Sequence, residues 1–517
     1  MDNSFDVAVV GYGPTGMVAA ALLGQRGHRV VVLERWPALY GLPRFTHIDD
    51  ETARTLQGVC DIDRALSNST PTEYHWVNGR DKVILHIPTY EGTMGYPGHL
   101  SINQPDVEDA VDSRLRELPN VEIRQGWAVT GLTQDDNGVV LDTAPWQQAE
   151  SNLEEAQSIS ARYVIAADGS RSTVRSLLAP TVTDYGFAER WINLDMEWLR
   201  PREERFHTTR QFCDPARGHM FMGIGRNRQR FEFAVLDGED PKDWEKPEAG
   251  WSWLKQTHGL GPEDVKIVRQ LSYTFGGRLT DQWRHNRVFL AGDAAHVMPP
   301  YLGQGACSGI RDAANLAWKL DWVLRGKAGD TLLDTYESER KPHADALIQM
   351  SIGLGRIANM TDPAAAGARD TAFKAGHAPP PPAMPALRDG ALSDSDGRGS
   401  LSPQGVIRRD DRTTRADDVL GTGFHLILTA AGGAALLPQQ WAVLESLDAT
   451  VVQLDRPDDD VDGTYQAFLT ALDADVVVVR PDRIVFGTAN LSSIGLLIDE
   501  LAARLHLTGS LPEVALS

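Results

Sequence analysis

Three glycines near the start of the chain, Gly11, Gly13 and Gly16, impose the strongest constraint on the fold. They follow an apolar stretch over residues 5–10 that has the pattern of a buried strand, and they precede a helical pattern over residues 17–26. Glycines at this spacing let the backbone turn tightly and approach a pyrophosphate, whose charge is stabilised at a helix N-terminus. The stretch therefore predicts the opening of a dinucleotide-binding βαβ unit.

The second strand of this unit is predicted over residues 29–33, and it runs into Glu34. A carboxylate at that strand end can accept hydrogen bonds from a ribose. The alternative is a glycine-rich turn in an ordinary α/β fold, but the ordered strand, helix, strand and acid favour a nucleotide site. This unit alone does not distinguish NAD from FAD.

Bulk composition excludes several classes of protein. At 517 residues the chain is long enough for two or three domains, and its 42% hydrophobic and 23% charged residues are typical of a globular protein. A net charge of -21 argues against a nucleic-acid partner, because phosphate binding needs a basic surface. No run approaches the roughly 18 apolar residues of a membrane span, and no basic segment precedes the first apolar stretch. We therefore expect no membrane partner and a cytoplasmic location.

The three cysteines, Cys60, Cys213 and Cys307, are far apart in the sequence. None belongs to a CxxC pair, so the sequence supports neither a disulfide framework nor a thiolate zinc site, and we expect no metal. Cys307 is interpreted as a small packing residue rather than a nucleophile, since cysteine behaves mostly as a buried apolar group.

The stretch 290–320, LAGDAAHVMPPYLGQGACSGIRDAANLAWKL, favours a flavin. Asp293 ends an apolar strand, two prolines make a rigid turn, and a loop from Gly303 to Gly305 precedes a helix. A carboxylate at such a distant strand end can hold a ribityl hydroxyl. The helix directs its positive end toward the isoalloxazine, whose reduced form carries negative charge.

Several further motifs accompany these two stretches. In chain order they are Gly11-x-Gly13-x-x-Gly16, Pro43-Arg44 before Ile48-Asp-Asp-Glu51, Asp168-Gly169, Gly292-Asp293, Pro299-Pro-Tyr-Leu-Gly-Gln-Gly305 and Gly309-Ile-Arg-Asp-Ala-Ala-Asn-Leu-Ala-Trp-Lys319. Together they resemble the single-component (class A) FAD-dependent aromatic hydroxylases, most of all the 3-(3-hydroxyphenyl)propionate hydroxylase branch. The resemblance covers essentially the whole chain.

The expected fold is α/β, with a Rossmann-like FAD-binding domain, an inserted mixed-sheet substrate domain and, by resemblance, a C-terminal thioredoxin-like domain. We assign residues 1–74, 100–185 and 278–360 to the first domain, 75–99 and 186–277 to the second, and 406–517 to the third. The Pro-, Gly- and Ser-rich segment 361–405 is predicted to be an extended surface linker. No cysteine follows Cys307, so dithiol exchange is excluded in the last domain, and packing or oligomer contacts, a homodimer among them, remain.

The resemblance also implies a set of residues that bind FAD. They are Gly11, Gly13, Pro14, Thr15, Gly16, Glu34, Arg35, Arg44, Gln104, Asp168, Gly292, Asp293, Pro300, Gly303, Gly305 and Ala306. Within this set Asp293 is expected at the ribityl chain, Gly303 to Ala306 at the pyrimidine end of the flavin, and Asp168 where both FAD and the pyridine nucleotide bind.

The substrate side is less constrained. His47, Tyr301 and Pro300 are the candidate catalytic residues, and Arg210, Gln211 and Tyr273 are the candidate substrate residues. For His47 a structural hydrogen-bonding role competes with a catalytic one. Arg210 can pair with a carboxylate substrate or solvate a sheet edge, and the second interpretation is favoured.

The implied activity is hydroxylation of a phenolic substrate, such as a hydroxyphenylpropionate-like acid, by NADPH or NADH and O2 through a flavin hydroperoxide. FAD carries the difficult step, and the protein supplies a dry pocket and orientation. Two alternatives stay open: a tailoring hydroxylase of a larger aromatic natural product, and a non-catalytic homologue that binds FAD or another ligand. A flavin halogenase is disfavoured, because Trp251-Ser-Trp253 is followed by Leu254 and Lys255 rather than by the halogenase signature.

Overall fold

A computed structural model of the chain describes residues 4–147, 150–380, 383–409, 412–429, 436–454, 456 and 459–507. Within these ranges the chain forms a mixed α/β structure with several sheets.

The strands are, in chain order, β1 (Ser4–Val10), β2 (Val30–Glu34), β3 (His47–Asp49), β4 (Thr70–Pro71), β5 (Tyr74–Asn78), β6 (Val83–Ile87), β7 (His99–Ser101), β8 (Val121–Gln125), β9 (Trp127–Gln134), β10 (Val139–Gln147), β11 (Glu150–Ser151), β12 (Gln157–Ala166), β13 (Val182–Trp198), β14 (Thr209–Cys213), β15 (His219–Ile224), β16 (Arg228–Ala234), β17 (Val265–Thr280), β18 (Arg284–His285), β19 (Val288–Leu290), β20 (His296–Val297), β21 (Val406–Arg409), β22 (Arg412–Arg415), β23 (His425–Leu428), β24 (Thr450–Gln453), β25 (Val476–Val479) and β26 (Val485–Ala489).

The α-helices are α1 (Pro14–Gln25), α2 (Asp50–Gln57), α3 (Ile62–Ala65), α4 (Gln104–Glu117), α5 (Thr173–Leu178), α6 (Pro241–Trp244), α7 (Pro247–His258), α8 (Gly305–Leu324), α9 (Asp334–Ala358), α10 (Pro363–Lys374), α11 (Asp417–Leu420), α12 (Pro438–Ser446), α13 (Thr464–Ala471) and α14 (Ile494–Arg504). Short 3-10 turns cover Gly292–Ala294 and Pro300–Leu302.

The first sheet has nine strands and a parallel centre. Strand β1 pairs in parallel with β2 on one side and with β12 on the other, and β12 pairs in parallel with β19. These central strands are runs of Val, Ile, Leu and Ala that are almost fully buried, as expected for a parallel sheet covered on both faces. Helices α1 and α8 pack against it. The predicted βαβ unit is confirmed.

The second sheet has eight strands in the order β20-β17-β13-β16-β15-β14-β5-β6. Its centre is antiparallel, whereas β14 and β5 pair in parallel. One face of β13 and β16 carries Ile192, Leu194, Phe231 and Phe233, which form a core under α7, and the other face is turned toward the first sheet. The mixed sheet predicted for the middle of the chain is therefore present. The domain boundaries given above stay a proposal.

The C-terminal region forms a four-stranded sheet in the order β24-β23-β25-β26, with α12, α13 and α14 connecting or following its strands. Strands β23 and β24 are parallel, whereas β25 is antiparallel to both β23 and β26. The classification of this region as thioredoxin-like stays a prediction.

The linker prediction for 361–405 was wrong. Helix α10 occupies Pro363–Lys374, and Leu387, Ala391 and Leu392 further along are buried. Leu387 and Leu392 pack on Ile484, so apolar residues spaced among prolines and glycines anchor this segment to the C-terminal sheet. Composition indicated a lack of regular structure but did not reveal this burial. Pro381 and Pro382 of the predicted proline run lie outside the described residues.

Among the helices that the structure describes, none combines the length and apolar character needed to cross a membrane.

Candidate active site

Three of the motifs lie at one edge of the first sheet, namely those that begin at Gly11, Asp168 and Gly292. Val10 is in register with Ala166, and Ala166 with Leu290, at the carboxyl ends of β1, β12 and β19. Because these strands are parallel, the residues that follow them emerge side by side. This edge is where open α/β sheets bind their ligands.

Glycines allow the segments behind this edge to approach closely. A β-carbon at Gly11 would lie 2.4 Å from the carbonyl oxygen of Ala167. One at Gly292 would lie 2.7 Å from Thr15 Oγ1, and one at Gly309 would lie 2.3 Å from the same oxygen. Thus the Gly11–Gly16 motif contacts both the segment at Asp168-Gly169 and the segment at Gly292-Asp293, and α1 packs directly on α8.

Two long helices begin at this edge without a side-chain cap. Helix α1 begins at Pro14 after Gly13, and α8 begins at Gly305 after Gln304. Nothing lies within 4 Å of a β-carbon built on Gly13. Uncapped helix N-termini with open space before them attract anions. The pair fits the pyrophosphate and the electron-rich pyrimidine end of FAD.

Glu34 and Arg35 lie beside the first helix N-terminus. The two carboxylate oxygens of Glu34 accept hydrogen bonds from the backbone N–H groups of Tyr12 and Trp36, both at 2.9 Å. The Arg35 guanidinium lies 5.8 Å from the ring centroids of both Trp36 and Trp146. The carboxylate is thereby held rigidly, with lone pairs left for a ribose.

Asp168 is directed at its own loop. Its carboxylate accepts a short hydrogen bond from Ser172 Oγ and two from the backbone N–H groups of Thr173 and Val174, at 2.7 and 3.1 Å. The carboxylate therefore shapes the turn into α5, and the groups that approach Gly11 are the backbone atoms of Ala167 and Asp168.

Asp293 lies in the turn that follows β19, and the space that it borders together with Tyr273 and Arg44 is called the cleft below. Asp293 is solvent-exposed, yet enough protein surrounds its carboxyl group to raise its pKa by desolvation. Among the described residues no group donates a hydrogen bond to this carboxylate. Tyr273 is 46% exposed, and desolvation followed by the Asp293 charge raises its pKa, while Arg44 lowers it. An exposed acid and an exposed tyrosine on two sheets thus face one space.

Arg44 is held at this cleft by Gln104. The Gln104 Oε1 accepts hydrogen bonds from the backbone N–H groups of Arg44 and Phe45, at 2.6 and 3.1 Å, and its Nε2 donates to Glu108 at 2.6 Å. The Arg44 guanidinium lies 4.7 Å from the ring centroid of Tyr40. Gln104 is therefore a buried positioning group, and Arg44 is the one that can reach a ligand.

His47 lies between the flavin loop and a second histidine. Its Nδ1 is 3.4 Å from the carbonyl oxygen of Gly303, and its Nε2 is 3.0 Å from His99 Nδ1. Burial and the neighbouring His99 lower the pKa of His47 to about 4. The imidazole is therefore neutral at physiological pH.

Pro300 and Tyr301 form the turn in front of α8. Pro300 is exposed, whereas the Tyr301 hydroxyl donates to Glu189 Oε2 at 2.5 Å and accepts from Asn359 Nδ2 at 2.6 Å. Phe187 and Phe275 contact the Tyr301 ring edge to face. Burial and Glu189 raise the pKa of Tyr301 well above its ordinary value, so this phenol does not ionise.

Arg210 and Gln211, the two candidate substrate residues on β14, lie on opposite faces of the sheet. Arg210 shares a face with Phe212 of the core under α7, and it forms an ion pair with Asp81 at 3.2 Å. Gln211 lies on the opposite face, turned toward the first sheet, with its Nε2 near the carbonyl oxygen of His219. Strand alternation directs Arg210 away from the cleft, which agrees with the favoured interpretation of a structural role, and a substrate role for Arg210 stays a prediction.

Two buried networks escaped the sequence interpretation. Gln304 donates to Asp49 Oδ2 at 3.0 Å and accepts from Arg311 at 2.7 Å, and Arg311 also pairs with Glu51 at 2.5 Å. In the second network, Asp312 accepts from the Gly292 N–H at 3.0 Å, from His296 at 2.7 Å and from Arg340 at 2.9 Å. They fix the start of α8 and the turn before Asp293. The sequence did contain a signal for these networks, because the motifs at residues 48–51 and 309–319 include Asp49, Glu51, Arg311 and Asp312.

One group of metal-ligand types occurs among the described residues, namely Glu73, His75 and His86. The rings of His75 and His86 are stacked, with 25° between their planes. His86 Nε2 lies 3.0 Å from Glu73 Oε2, within hydrogen-bond distance, so these two side chains partner each other.

Comparison with known proteins agrees with this geometry. Residues 4–351 match the family model described as an FAD binding domain, and residues 399–504 match the HcaD C-terminal domain. The chain belongs to the FAD-dependent aromatic hydroxylases. Its cofactor is FAD and it is a flavoprotein monooxygenase.

Three relatives illustrate the range of the family. The chain is 39% identical to a probable NADH-specific resorcinol 4-hydroxylase of Rhodococcus jostii (strain RHA1), over 99% of this chain and 97% of the relative. It is 31% identical to a 3-(3-hydroxy-phenyl)propionate/3-hydroxycinnamic acid hydroxylase of Mycolicibacterium gilvum (strain PYR-GCK), over 97% and 92%. The solved flavin-dependent monooxygenase PieE, in complex with FAD and substrate, superposes with a TM-score of 0.80 at 21% identity, over 97% and 99%. The last likeness concerns the fold alone.

Proposed function

We propose that this monooxygenase hydroxylates a small phenol, with NADH as the reductant and O2 as the source of the inserted oxygen atom. The names of two relatives support a phenolic substrate, and one of them supports NADH. The observation that carries the proposal is the position of His47, a neutral buried imidazole between the loop before α8 and His99. A nicotinamide co-substrate also fits the cytoplasmic location expected from the sequence.

The chain offers a separate group for each part of FAD. The turn from Gly11 to Gly16 binds the pyrophosphate at the start of α1, and Glu34 binds the ribose. Asp293 binds a ribityl hydroxyl, because its carboxylate is exposed and accepts no hydrogen bond within the described chain. The first N–H groups of α8 stabilise negative charge at the pyrimidine end. When bound and reduced, FAD activates O2 for transfer of one oxygen atom to an electron-rich ring.

His47 and His99 together supply a base for the phenol. His47 Nδ1 faces the carbonyl oxygen of Gly303, so Nδ1 carries the proton and donates to that oxygen, and Nε2 accepts a hydrogen bond from Nδ1–H of His99. The lone pair that remains for the phenolic proton is on Nε2 of His99, with His47 as the acceptor behind it. Removal of the phenolic proton makes the ring more nucleophilic. An imidazole with a pKa of about 4 does not retain a proton at neutral pH, and burial also lowers the pKa of His99, so the proton leaves the pair to solvent through His99, which is partly exposed.

Pro300, Tyr301 and Tyr273 form walls of the substrate space in this proposal, and Gln211 contributes from the sheet. The Tyr301 hydroxyl is bound to Glu189 and Asn359, so Tyr301 presents its ring rather than its hydroxyl to the arene. Rings around the reacting carbon exclude water, which protects the activated oxygen from wasteful release.

The test replaces His47 with asparagine, which keeps a hydrogen-bonding side chain but removes one imidazole of the His47 and His99 pair. We expect His47→Asn to bind FAD normally and to hydroxylate phenols about 10²- to 10⁴-fold more slowly. Ring-fluorinated phenols, which ionise without help, should recover part of that loss. His86→Asn, on the exposed edge strand β6, is the matched control and should behave as wild type. An unchanged rate in His47→Asn, or a loss that fluorination does not reduce, would contradict the role of His47.

A second measurement separates turnover from simple binding. The purified protein should be yellow, and a cognate phenol should accelerate its oxidation of NADH, with product formed in proportion. Bound flavin that neither NADH nor NADPH reduces, whatever phenol is added, would favour a non-catalytic FAD-binding protein.

A further inference from the structure

The face of the eight-stranded sheet that is turned toward the first sheet carries polar residues at its centre. Met220, Glu232, Asn193 and Leu271 lie side by side across β15, β16, β13 and β17. The flanking residues of β13 and β16 point to the core under α7, so Glu232 and Asn193 are on the face that bears Tyr273 and Phe275. A carboxylate and an amide here require an explanation, because burying polar groups is costly.

Neither group has a hydrogen-bond partner in the part of the chain that the structure describes. Glu232 is 3% exposed, and the nearest cation, Arg230, has its Nε 3.8 Å from Oε1, which is beyond hydrogen-bond distance. Asn193 is 7% exposed, and its Oδ1 is buried without a donor. Burial raises the pKa of Glu232 to about 7. Buried polar groups left unpaired by the protein are expected to have a partner from outside it.

The position of Glu232 relates it to the substrate space. Tyr301, in the turn before α8, contacts Phe275 edge to face, and Phe275 is on the sheet face that bears Glu232. On the other side, Arg230 donates to the carbonyl oxygens of Pro43 and Arg44, both at 2.9 Å, in the segment that leads to His47. Glu232 thus lies on the sheet between the segment before His47 and the Tyr301 turn, where the proposed function places the arene.

The cations of this face are balanced by two carboxylates of the chain. Arg230 pairs with Asp195 at 2.7 Å and lies 3.8 Å from Glu232, and Arg269 pairs with Asp195. Arg210, a candidate partner of a substrate carboxylate, is on the opposite face, where it pairs with Asp81. Near Glu232 a substrate carboxylate would therefore meet another acid and no unpaired cation among the described residues, which is unfavourable in a buried site.

We propose that Glu232 and Asn193 bind a second hydroxyl group of the arene, so that the preferred substrate is a neutral dihydroxybenzene rather than an aryl carboxylate. This inference rests on the proposed function for the location of the ring. Glu232 accepts a hydrogen bond from the second hydroxyl, and the Asn193 amide accepts a hydrogen bond from that hydroxyl or donates one to it. The pair of His47 and His99 on one side and Glu232 on the other then hold the two hydroxyls of one ring, which fixes the carbon presented to the flavin.

The experiment compares benzene-1,3-diol, phenol and 3-(3-hydroxyphenyl)propionate with the holoenzyme. Binding is measured from the change in the flavin absorption spectrum, and turnover from NADH oxidation coupled to product. We expect wild type to favour the diol over phenol by about 10- to 100-fold in Kd and in kcat/KM, as for a hydrogen bond to a charged group, and to bind the propionate more weakly than the diol.

Glu232→Gln is expected to reduce the diol-to-phenol ratio toward one and to weaken discrimination against the propionate. Asn193→Leu, a substitution of similar shape, should also reduce the ratio and provides a second route if Glu232→Gln folds poorly. Glu197→Gln is the matched control. Glu197 lies near the end of β13, the strand that bears Asn193, and pairs with Arg228, so this variant should keep the wild-type diol-to-phenol ratio.

The outcomes separate this inference from the proposed function. Tighter binding of the propionate than of the diol by wild type, or an unchanged diol-to-phenol ratio in both Glu232→Gln and Asn193→Leu, overturns the role of Glu232 and Asn193. Diol binding that perturbs the flavin with the expected preference but never yields product overturns the proposed hydroxylation instead.

Discussion

A β-carbon at Gly303 would lie 2.6 Å from Nδ1 of His47. Gly303 has a φ of +65°, and its carbonyl oxygen is the group that faces that nitrogen. The loop before α8 and the imidazole therefore occupy positions that only a glycine permits. The residue that shapes the flavin loop is also the one that locates the proposed base.

Gly303→Ala is expected to displace His47 and to lower both FAD affinity and the rate of hydroxylation. The matched control is Gly259→Ala, since Gly259 has a φ of +71° with nothing within 4 Å of its β-carbon. Both substitutions should cost about 1 kcal/mol of stability from the left-handed backbone. FAD titration and steady-state rates should distinguish them, and equal behaviour of the two variants would contradict the close approach to His47.

Asp293→Ala should weaken FAD binding by about 10- to 100-fold while leaving the fold intact, because removal of a hydrogen bond to a charged group costs about 1.5–3 kcal/mol. Within the described chain this carboxylate makes no hydrogen bond that folding would lose. Fluorescence titration of apoprotein with FAD measures the effect, and circular dichroism checks the fold. Asp293→Asn, which keeps an acceptor oxygen, should lie between wild type and Asp293→Ala. Unchanged FAD affinity in Asp293→Ala would refute the assignment.

Short-range patterns identified the nucleotide edge from sequence, whereas long-range register escaped prediction. Gly11 and Asp293 follow apolar strands directly, so their place at a sheet edge is encoded within a few residues. The face of Arg210 and the burial of Glu232 depend on pairing with strands elsewhere in the chain, which no local pattern specifies. The sequence also did not reveal that the Asp168 carboxylate binds the first N–H groups of α5. A motif shared with a family identifies the residue, but it does not specify which group the side chain of that residue contacts.

Arg480 is expected to be essential for joining the C-terminal sheet to the first sheet. Its guanidinium is fully buried and contacts Glu339 of α9 at 2.7 Å and Asp482 at 2.5 Å, and Lys319 of α8 also contacts Glu339, at 2.8 Å. Arg480→Met should cost about 3–5 kcal/mol, because it leaves buried carboxylates undercompensated. Arg114→Met, which breaks the exposed pair with Glu117, should change stability by less than about 1 kcal/mol. Urea unfolding of the holoproteins tests both, and similar midpoints for the two variants would contradict this role.

His258 should make the native state sensitive to acid. It is buried among Phe206, Phe221 and Phe231, its Nε2 lacks a partner in the described chain, and burial lowers its pKa from 6.5 to about 3. Because the folded pKa is the lower one, the contribution of the neutral ring is fully present above pH 6.5. As the pH falls from 6.5 toward 3 the unfolded chain takes up the proton first, so stability is lost at about 1.4 kcal/mol per pH unit.

In His258→Phe that loss should disappear. Between pH 7.5 and 5.5 the free energy of unfolding of wild type should therefore fall by about 1.4 kcal/mol more than that of the variant. Phe221→Leu is the matched control, because it disturbs the same cluster without removing a titrating group and should keep the wild-type pH dependence. The comparison uses the change in the free energy of unfolding with pH rather than its absolute value, because both substitutions also alter packing. Parallel curves for wild type and His258→Phe would show that His258 does not take part in acid sensitivity.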